Sequence, residues 1–158
     1  MLQEIERLAG RRFREVGRPE VADDEPASLA ILARYMAPGR SWVALDEAGR
    51  PIGYVLIDDI DGNAHIEQVS VLPAHQGQGV GRALIERVQA SASERGLRAV
   101  TLTAFTDVPW NAPLYRHLGF RVLLVDEFGP QLRAVGDAET ARGLDPATRV
   151  CMALELTT

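Results

Sequence analysis

Cysteine occurs once in the 158 residues, as Cys151, so no internal disulfide framework exists and the lone thiol suggests a reducing compartment. No eighteen apolar residues run together, which excludes a membrane-spanning helix of the usual kind. Met1 to Arg18 mixes Glu and Arg with Leu and Ile and lacks the apolar segment of a secretory signal. Positive charge is in deficit: 17 Lys plus Arg stand against 22 Asp plus Glu, a net charge of −5. Neither nucleic acid nor an anionic membrane is therefore attracted globally, and any bound anion must be held locally. Heptad runs, periodic glycine, internal repeats and low-complexity tracts are absent as well, excluding coiled coil, collagen and a disordered tail. What remains, 46% apolar and 25% charged residues, is the balance of one globular domain spanning residues 1–158, expected to be soluble and cytoplasmic.

Leu2, Ile5, Leu8 and Ala9 recur at helical spacing, predicting a first helix over 2–16 stopped by Gly17 and Pro19. Leu29, Ile31, Leu32, Tyr35 and Met36 predict a second, with Asp23, Asp24 and Glu25 at its start and Pro38 and Gly39 at its end. Residues 41–45 and 52–57 read as a hairpin, and a third strand runs over 64–72, closed by Pro73. Val80, Leu84, Ile85, Val88 and Ala92 form an apolar helical stripe ending near Gly96. A strand over 98–105 follows, and strand, helix, strand at this length implies a crossover with parallel strands. Further expected elements are a short helix over 111–118 ended by Gly119, a strand over 120–125, a helical stretch over 131–144 bent near Gly136, and a last strand over 150–156. The order describes an α/β fold with a mixed, mostly antiparallel central sheet and helices on both faces.

The densest signal is Val69-Ser70-Val71-Leu72-Pro73-Ala74-His75-Gln76-Gly77-Gln78-Gly79-Val80-Gly81-Arg82. A strand runs into a glycine-rich turn and directly into a long helix, gathering backbone N–H groups beside the positive end of the helix dipole. A plain tight turn is the bland reading. A nucleoside-triphosphate loop lacks its Gly-Lys-Ser/Thr ending, and a dinucleotide fingerprint would put a small residue where Arg82 stands. Gln76, Gly79 and Gly81 instead resemble the (Arg/Gln)xxGx(Gly/Ala) signature of the GNAT superfamily of acyl-CoA-dependent N-acetyltransferases. Leu114-Tyr115-Arg116-His117-Leu118-Gly119-Phe120 is similar to that superfamily's second hallmark, a tyrosine on a short helix with Gly and Phe four and five residues on.

The resemblance implies acetyl-CoA as co-substrate and no metal. It implies that the strand before the loop is bulged and splayed, leaving backbone groups of Val69, Ser70 and Val71 for the pantetheine arm. Ile66 is out of alternation with Val69 and Val71, as an inserted residue would make it. It further implies that backbone N–H groups of Gln76, Gly77, Gln78, Gly79, Val80, Gly81 and Arg82 hold the diphosphate, with the Gln76 and Arg82 side chains adding polar contacts. Tyr115 would be the general acid, since a phenol of pKa ~10 remains protonated while a thiolate of pKa ~8.5 forms. A backbone N–H near Val71 would polarise the carbonyl. Many members place a cofactor-contacting asparagine seven residues before the tyrosine, where this chain has Val108; Asn111 stands only four before it. Asn111 stays among the cofactor-binding candidates but reads as the cap of the tyrosine helix, with Pro113 in the first turn. The chain also opens on a helix rather than on the short strand common in the family.

Glu67 and His65 lie two apart on the third strand, hence on one face before any bulge. Either can serve as general base, directly or through water, with Glu67 preferred; otherwise Glu67 binds the substrate ammonium and His65 is a half-exposed strand residue. His117 reads as a surface residue, and Cys151 as a buried, inert thiol. Acids at Asp23, Asp24, Glu25, Asp58, Asp59 and Asp61 can attract a cationic amine or merely solvate loops. Trp42, Tyr54, Tyr35 and Trp110 are pocket walls or core. The expected acceptor is a small-molecule primary amine, with no nucleic-acid or membrane partner, and pairing of sheet edges allows a homodimer. The rival readings are a protein N-terminal or lysine acetyltransferase, a non-catalytic acyl-CoA-binding module, and an interaction domain with a structural glycine turn.

Overall fold

The computed structural model describes residues 1–156. Six strands form one mixed sheet in the order β1-β2-β3-β4-β6-β5: β1 (Ser41–Leu45), β2 (Pro51–Ile60), β3 (Asn63–Val71), β4 (Ala99–Phe105), β5 (Arg121–Val122) and β6 (Arg149–Glu155). Around it stand α1 (Leu2–Gly10), α2 (Pro19–Ala22), α3 (Leu29–Arg34), α4 (Val80–Glu94), α5 (Ala112–His117) and α6 (Pro130–Ala141). The expected α/β architecture with a mixed, mostly antiparallel sheet is present. The chain divides into two compact units, one of Met1–Ile57 with Glu67–Val88, the other of Asp58–Ile66 with the residues from Gln89 onward.

In the first unit the predicted opening helix tightens after Gly10 into a 3-10 turn, Arg11–Val16, ended by Gly17 at φ 78°. The acids at 23–25 precede α3 but do not open it, a correction to the expectation. Its N-cap is Ser28, whose side chain accepts from the Ile31 N–H, so a hydroxyl satisfies the helix start. β1 and β2 form the expected antiparallel hairpin, with an irregularity at Ala44/Leu45. The core joins Ile5, Leu32, Tyr54 and Leu56, with Leu72 packed against them. Gly53 on β2 lets the backbone close up: a Cβ there would meet the Ser70 carbonyl oxygen at 3.0 Å and a Val80 methyl at 3.3 Å.

In the second unit β3 and β4 run parallel through Ala64↔Val100 and His65↔Thr101, as the crossover required. β4 pairs antiparallel with β6 along its whole length, from Ala99↔Glu155 to Phe105↔Arg149. The strand expected over 120–125 shrinks to two residues. Leu124 starts a 3-10 turn whose N–H donates to Glu127, and Glu127 in turn pairs with Arg121. α6 is continuous through Gly136, against the expected bend. Its first turn is capped from seventy residues away: the Asp61 carboxylate accepts from the Gln131 and Leu132 N–H groups at 3.0 and 2.8 Å, while Gln131 Oε1 accepts from the Asp61 N–H.

α6 also carries Glu139, which is 7% exposed and bonded by Arg149 Nε and Nη2 and by the Thr103 hydroxyl. Burial pushes this carboxyl up, but the Arg149 and Thr103 bonds outweigh it and hold it below its ordinary value. The ionised form thus stabilises the fold above the unfolded-state value, and this contribution is lost as pH falls through the native one. Glu139→Ala should cost about 3 kcal/mol near neutral pH, because Arg149 is left enclosed without a counter-charge, held only by the Thr103 hydroxyl and the Phe105 ring. The deficit should shrink below pH ~4.5. Urea unfolding at pH 7 and pH 4 measures it, and an equal deficit at both would show that the charge is immaterial.

Candidate active site

In the first unit, β3 ends at Val71 and the chain passes through a 3-10 turn, Pro73–His75, before reaching α4 at Val80. Among the described residues, the main-chain N–H groups of Gly77, Gln78, Gly79, Val80, Gly81 and Arg82 meet no main-chain acceptor; the first such bond beyond them is Ala83 N–H to Gly79 O at 3.0 Å. A helix leaves its first four N–H groups unpaired, and here the turn before α4 extends the run to six. Gly77 and Gly79 adopt φ of 78° and 85°, which disfavour a side chain, and a Cβ on either would project into open space. These N–H groups lie at the positive end of a fifteen-residue helix, where the helix dipole favours an anion. Arg82 is exposed on the first turn of α4.

Gln76 requires a correction. Its N–H donates within the turn to the Pro73 carbonyl, and its side chain is engaged at both ends: Nε2 donates to the Val71 carbonyl and Oε1 accepts from Arg12, each at 3.0 Å. Gln76 therefore braces the end of β3 against the loop, with its main-chain N–H engaged inside the turn and its side chain turned to Val71 and Arg12. Ser70 is 5% exposed and accepts from Gln68 at 2.7 Å. Val69 and Val71 are half-buried. Tyr54, bonded to Ser70, is core, and burial pushes its phenol well above the usual range. Glu67 is exposed. Half-buried Trp42 carries the Arg87 guanidinium over its ring at 5.9 Å.

In the second unit, Tyr115 lies on α5 at 8% exposure, its ring edge-on to Phe120 with centroids 5.8 Å apart. Asn111 occupies the N-cap position but makes no side-chain cap bond, contrary to expectation; its Oδ1 accepts from the Phe105 N–H at the end of β4. Val108, seven residues before the tyrosine, is core at 1% exposure. His65 is also corrected. It is 1% exposed, its Nδ1 lies 2.9 Å from the Thr101 hydroxyl, and burial lowers its pKa, so it is a neutral core residue and not a base open to an amine. Cys151 is buried, as expected, and burial pushes its thiol up to about 11.

Of the acids read as amine attractors, Asp59, Asp61 and Asp23 are engaged within the protein. Asp59 takes both oxygens to Arg95 at 2.7 Å, Asp61 caps α6, and Asp23 pairs with Arg14. The Asp61 cap and the Glu139–Arg149 pair escaped the sequence reading, since each joins residues whose local patterns carry no mark of the other. Among the described residues no cluster of three or more His, Cys, Asp or Glu could hold a metal, and no helix is long and apolar enough to cross a membrane.

The family model for the acetyltransferase (GNAT) family matches residues 2–120, which contain both the glycine cradle and the α5 tyrosine. The chain belongs to the GNAT acetyltransferase family. A mycothiol acetyltransferase of Geodermatophilus obscurus is 34% identical over 104 residues, 63% of this chain and 33% of that protein. The chain spans only 22–33% of the length of the curated relatives that it matches at 34–43% identity. Among solved structures, a GNAT-family acetyltransferase from Staphylococcus aureus superposes with a TM-score of 0.67 at 15% identity, covering 98% of this chain and 92% of that one. A putative streptothricin acetyltransferase from Bacillus anthracis, crystallised with acetyl coenzyme A, gives 0.62 at 18% identity over 79% and 68%. These likenesses establish the fold; β5, α6 and β6 lie beyond the residues matched by the family model.

Proposed function

We propose that the chain is an acyl-CoA-dependent N-acetyltransferase that moves the acetyl group of acetyl-CoA to a small-molecule primary amine. The observation that carries this reading is the run of six main-chain N–H groups, Gly77 to Arg82, that meet no main-chain acceptor among the described residues at the start of α4. Acetyl-CoA supplies an activated thioester; the chain supplies binding, polarisation and proton transfer. The N–H groups of Gly77, Gln78, Gly79, Val80, Gly81 and Arg82 hold the diphosphate, with the exposed Arg82 guanidinium adding charge. A bulge between Ile66 and Val69 frees main-chain groups of Val69, Ser70 and Val71 for the pantetheine arm, and an N–H near Val71 polarises the thioester carbonyl. Glu67 accepts the proton that the attacking nitrogen sheds, directly or through water. Tyr115 donates its phenolic proton to the sulfur as the carbon–sulfur bond breaks, and recovers it from solvent.

We take a small acceptor over a protein N-terminus or lysine, a choice that a panel of amines decides. The position of β1 at one edge of the sheet, with Val43 and Leu45 exposed, supports pairing of two copies. Release of free thiol from acetyl-CoA across a panel of aliphatic, aromatic, amino-acid and peptidyl amines tests the reading. Amine-dependent release greatest for a non-peptide amine is expected. Cofactor binding without amine-dependent release would favour a non-catalytic acyl-CoA module, and no binding would reduce the glycine turn to a structural one.

A further inference from the structure

We propose that Asn111 is a positioning residue for Tyr115: its side-chain carbonyl ties the start of α5 to the end of β4 and so fixes where the phenol points. The proposal rests on Tyr115 being the general acid. α5 has six residues, too few to hold a helix by its own hydrogen bonds, so its placement must come from its ends. At the C-terminal end, the Phe120 N–H donates to the Tyr115 carbonyl and the Phe120 ring packs edge-on against the phenol. At the N-terminal end, Asn111 makes three bonds with separate jobs. Its N–H donates to the Val108 carbonyl at 2.9 Å, closing the preceding turn. Its main-chain carbonyl accepts from the Tyr115 N–H at 3.0 Å, and its Oδ1 accepts from the Phe105 N–H at 2.5 Å.

One residue therefore bonds both to the tyrosine's own main chain and to the sheet. The anchor it reaches is rigid. Phe105 closes the full β4–β6 ladder opposite Arg149, and the Arg149 guanidinium lies over the Phe105 ring at 4.2 Å while bonded to Glu139. An asparagine at an N-cap ordinarily turns its oxygen back onto its own helix, and here no such bond exists. The side chain is directed at β4 instead, which gives up local capping in exchange for a fixed distance between sheet and tyrosine.

The test labels the protein with 3-fluorotyrosine and follows its three tyrosines by fluorine NMR, assigning the Tyr115 signal by its loss in Tyr115→Phe. Asn111→Ala should shift or split the Tyr115 signal and leave those of Tyr35 and Tyr54 in place. Turnover of acetyl-CoA with the most active amine of the panel should fall about tenfold or more, with KM for acetyl-CoA held, because small displacements of a reacting group cost rate before they cost binding. Asn111→Asp keeps the acceptor and should restore both readouts. Asn111→Gly, which removes the same acceptor but is tolerated at an N-cap, is read in parallel in case the alanine variant fails to fold. An unmoved Tyr115 signal in the alanine and glycine variants, or an aspartate variant as impaired as alanine, overturns the proposal. Unchanged turnover in Tyr115→Phe overturns the general-acid reading and this proposal with it; turnover lost there but kept in Asn111→Ala overturns this proposal alone.

Discussion

Gly79→Glu should abolish measurable binding of acetyl-CoA. Gly79 sits at φ 85° at the last step before α4, with nothing within 4 Å of a Cβ built there. The substitution therefore meets no steric obstacle in the protein itself, and the fold should survive with a backbone penalty of roughly 1–2 kcal/mol. The larger effect is electrostatic. A carboxylate among the amides of Gly77 to Arg82 satisfies donors meant for the ligand and repels it: two unit charges ~4 Å apart near a protein surface interact by about 4 kcal/mol, close to a thousandfold in affinity. Gly79→Ala separates the contributions, since it carries the backbone penalty without the charge and should weaken binding only several-fold. Titration calorimetry with acetyl-CoA reads both variants, and affinity retained in Gly79→Glu would reject the cradle as the diphosphate site.

The second large effect is expected on rate. Tyr115→Phe should lower turnover by roughly 10²- to 10⁴-fold, the usual contribution of a positioned proton donor. The affinity for acetyl-CoA should stay within a few-fold of the original. Phenylalanine retains the edge-on ring contact with Phe120 and the burial of the ring while removing the hydroxyl. Steady-state kinetics with the best amine of the panel, alongside direct measurement of cofactor binding, separates the two quantities. Undiminished turnover would leave Tyr115 as an aromatic that packs α5.

The parts of the fold legible in the sequence are those whose residues report on themselves. Of the predicted stripe, Leu84, Ile85, Val88 and Ala92 are buried as the helical period required and Val80 is half-buried, and Gly96 follows the helix at φ 72°. The parallel pairing of β3 and β4 followed from the length of the intervening helix alone. The loop was legible for a related reason, because glycines at 77 and 79 announce backbone conformations that other residues avoid.

What stayed hidden is long-range and polar. Nothing near Asp61 foretells that it caps a helix starting at Pro130, and an acidic loop reads the same whether it attracts an amine or closes a helix. β6 inserts between β4 and β5, an order set by non-local pairing that periodicity does not encode. His65 looked half-exposed because strand alternation gives a residue's face but not what covers it; Ala64, His65 and Ile66 are buried in succession. Asn111 was read as a cap by its position, and its true acceptor role depends on a strand end six residues upstream.

The reciprocal lock between Asp61 and Gln131 bears on how the molecule meets dissolved salts. At α6 the electropositive opening is already neutralised by a carboxylate belonging to the chain, whereas at α4 it is not. On the proposed reading, phosphate and nucleotide fragments would compete with the cofactor at the α4 opening, while α6 is guarded against them by an acid supplied from the β2–β3 turn.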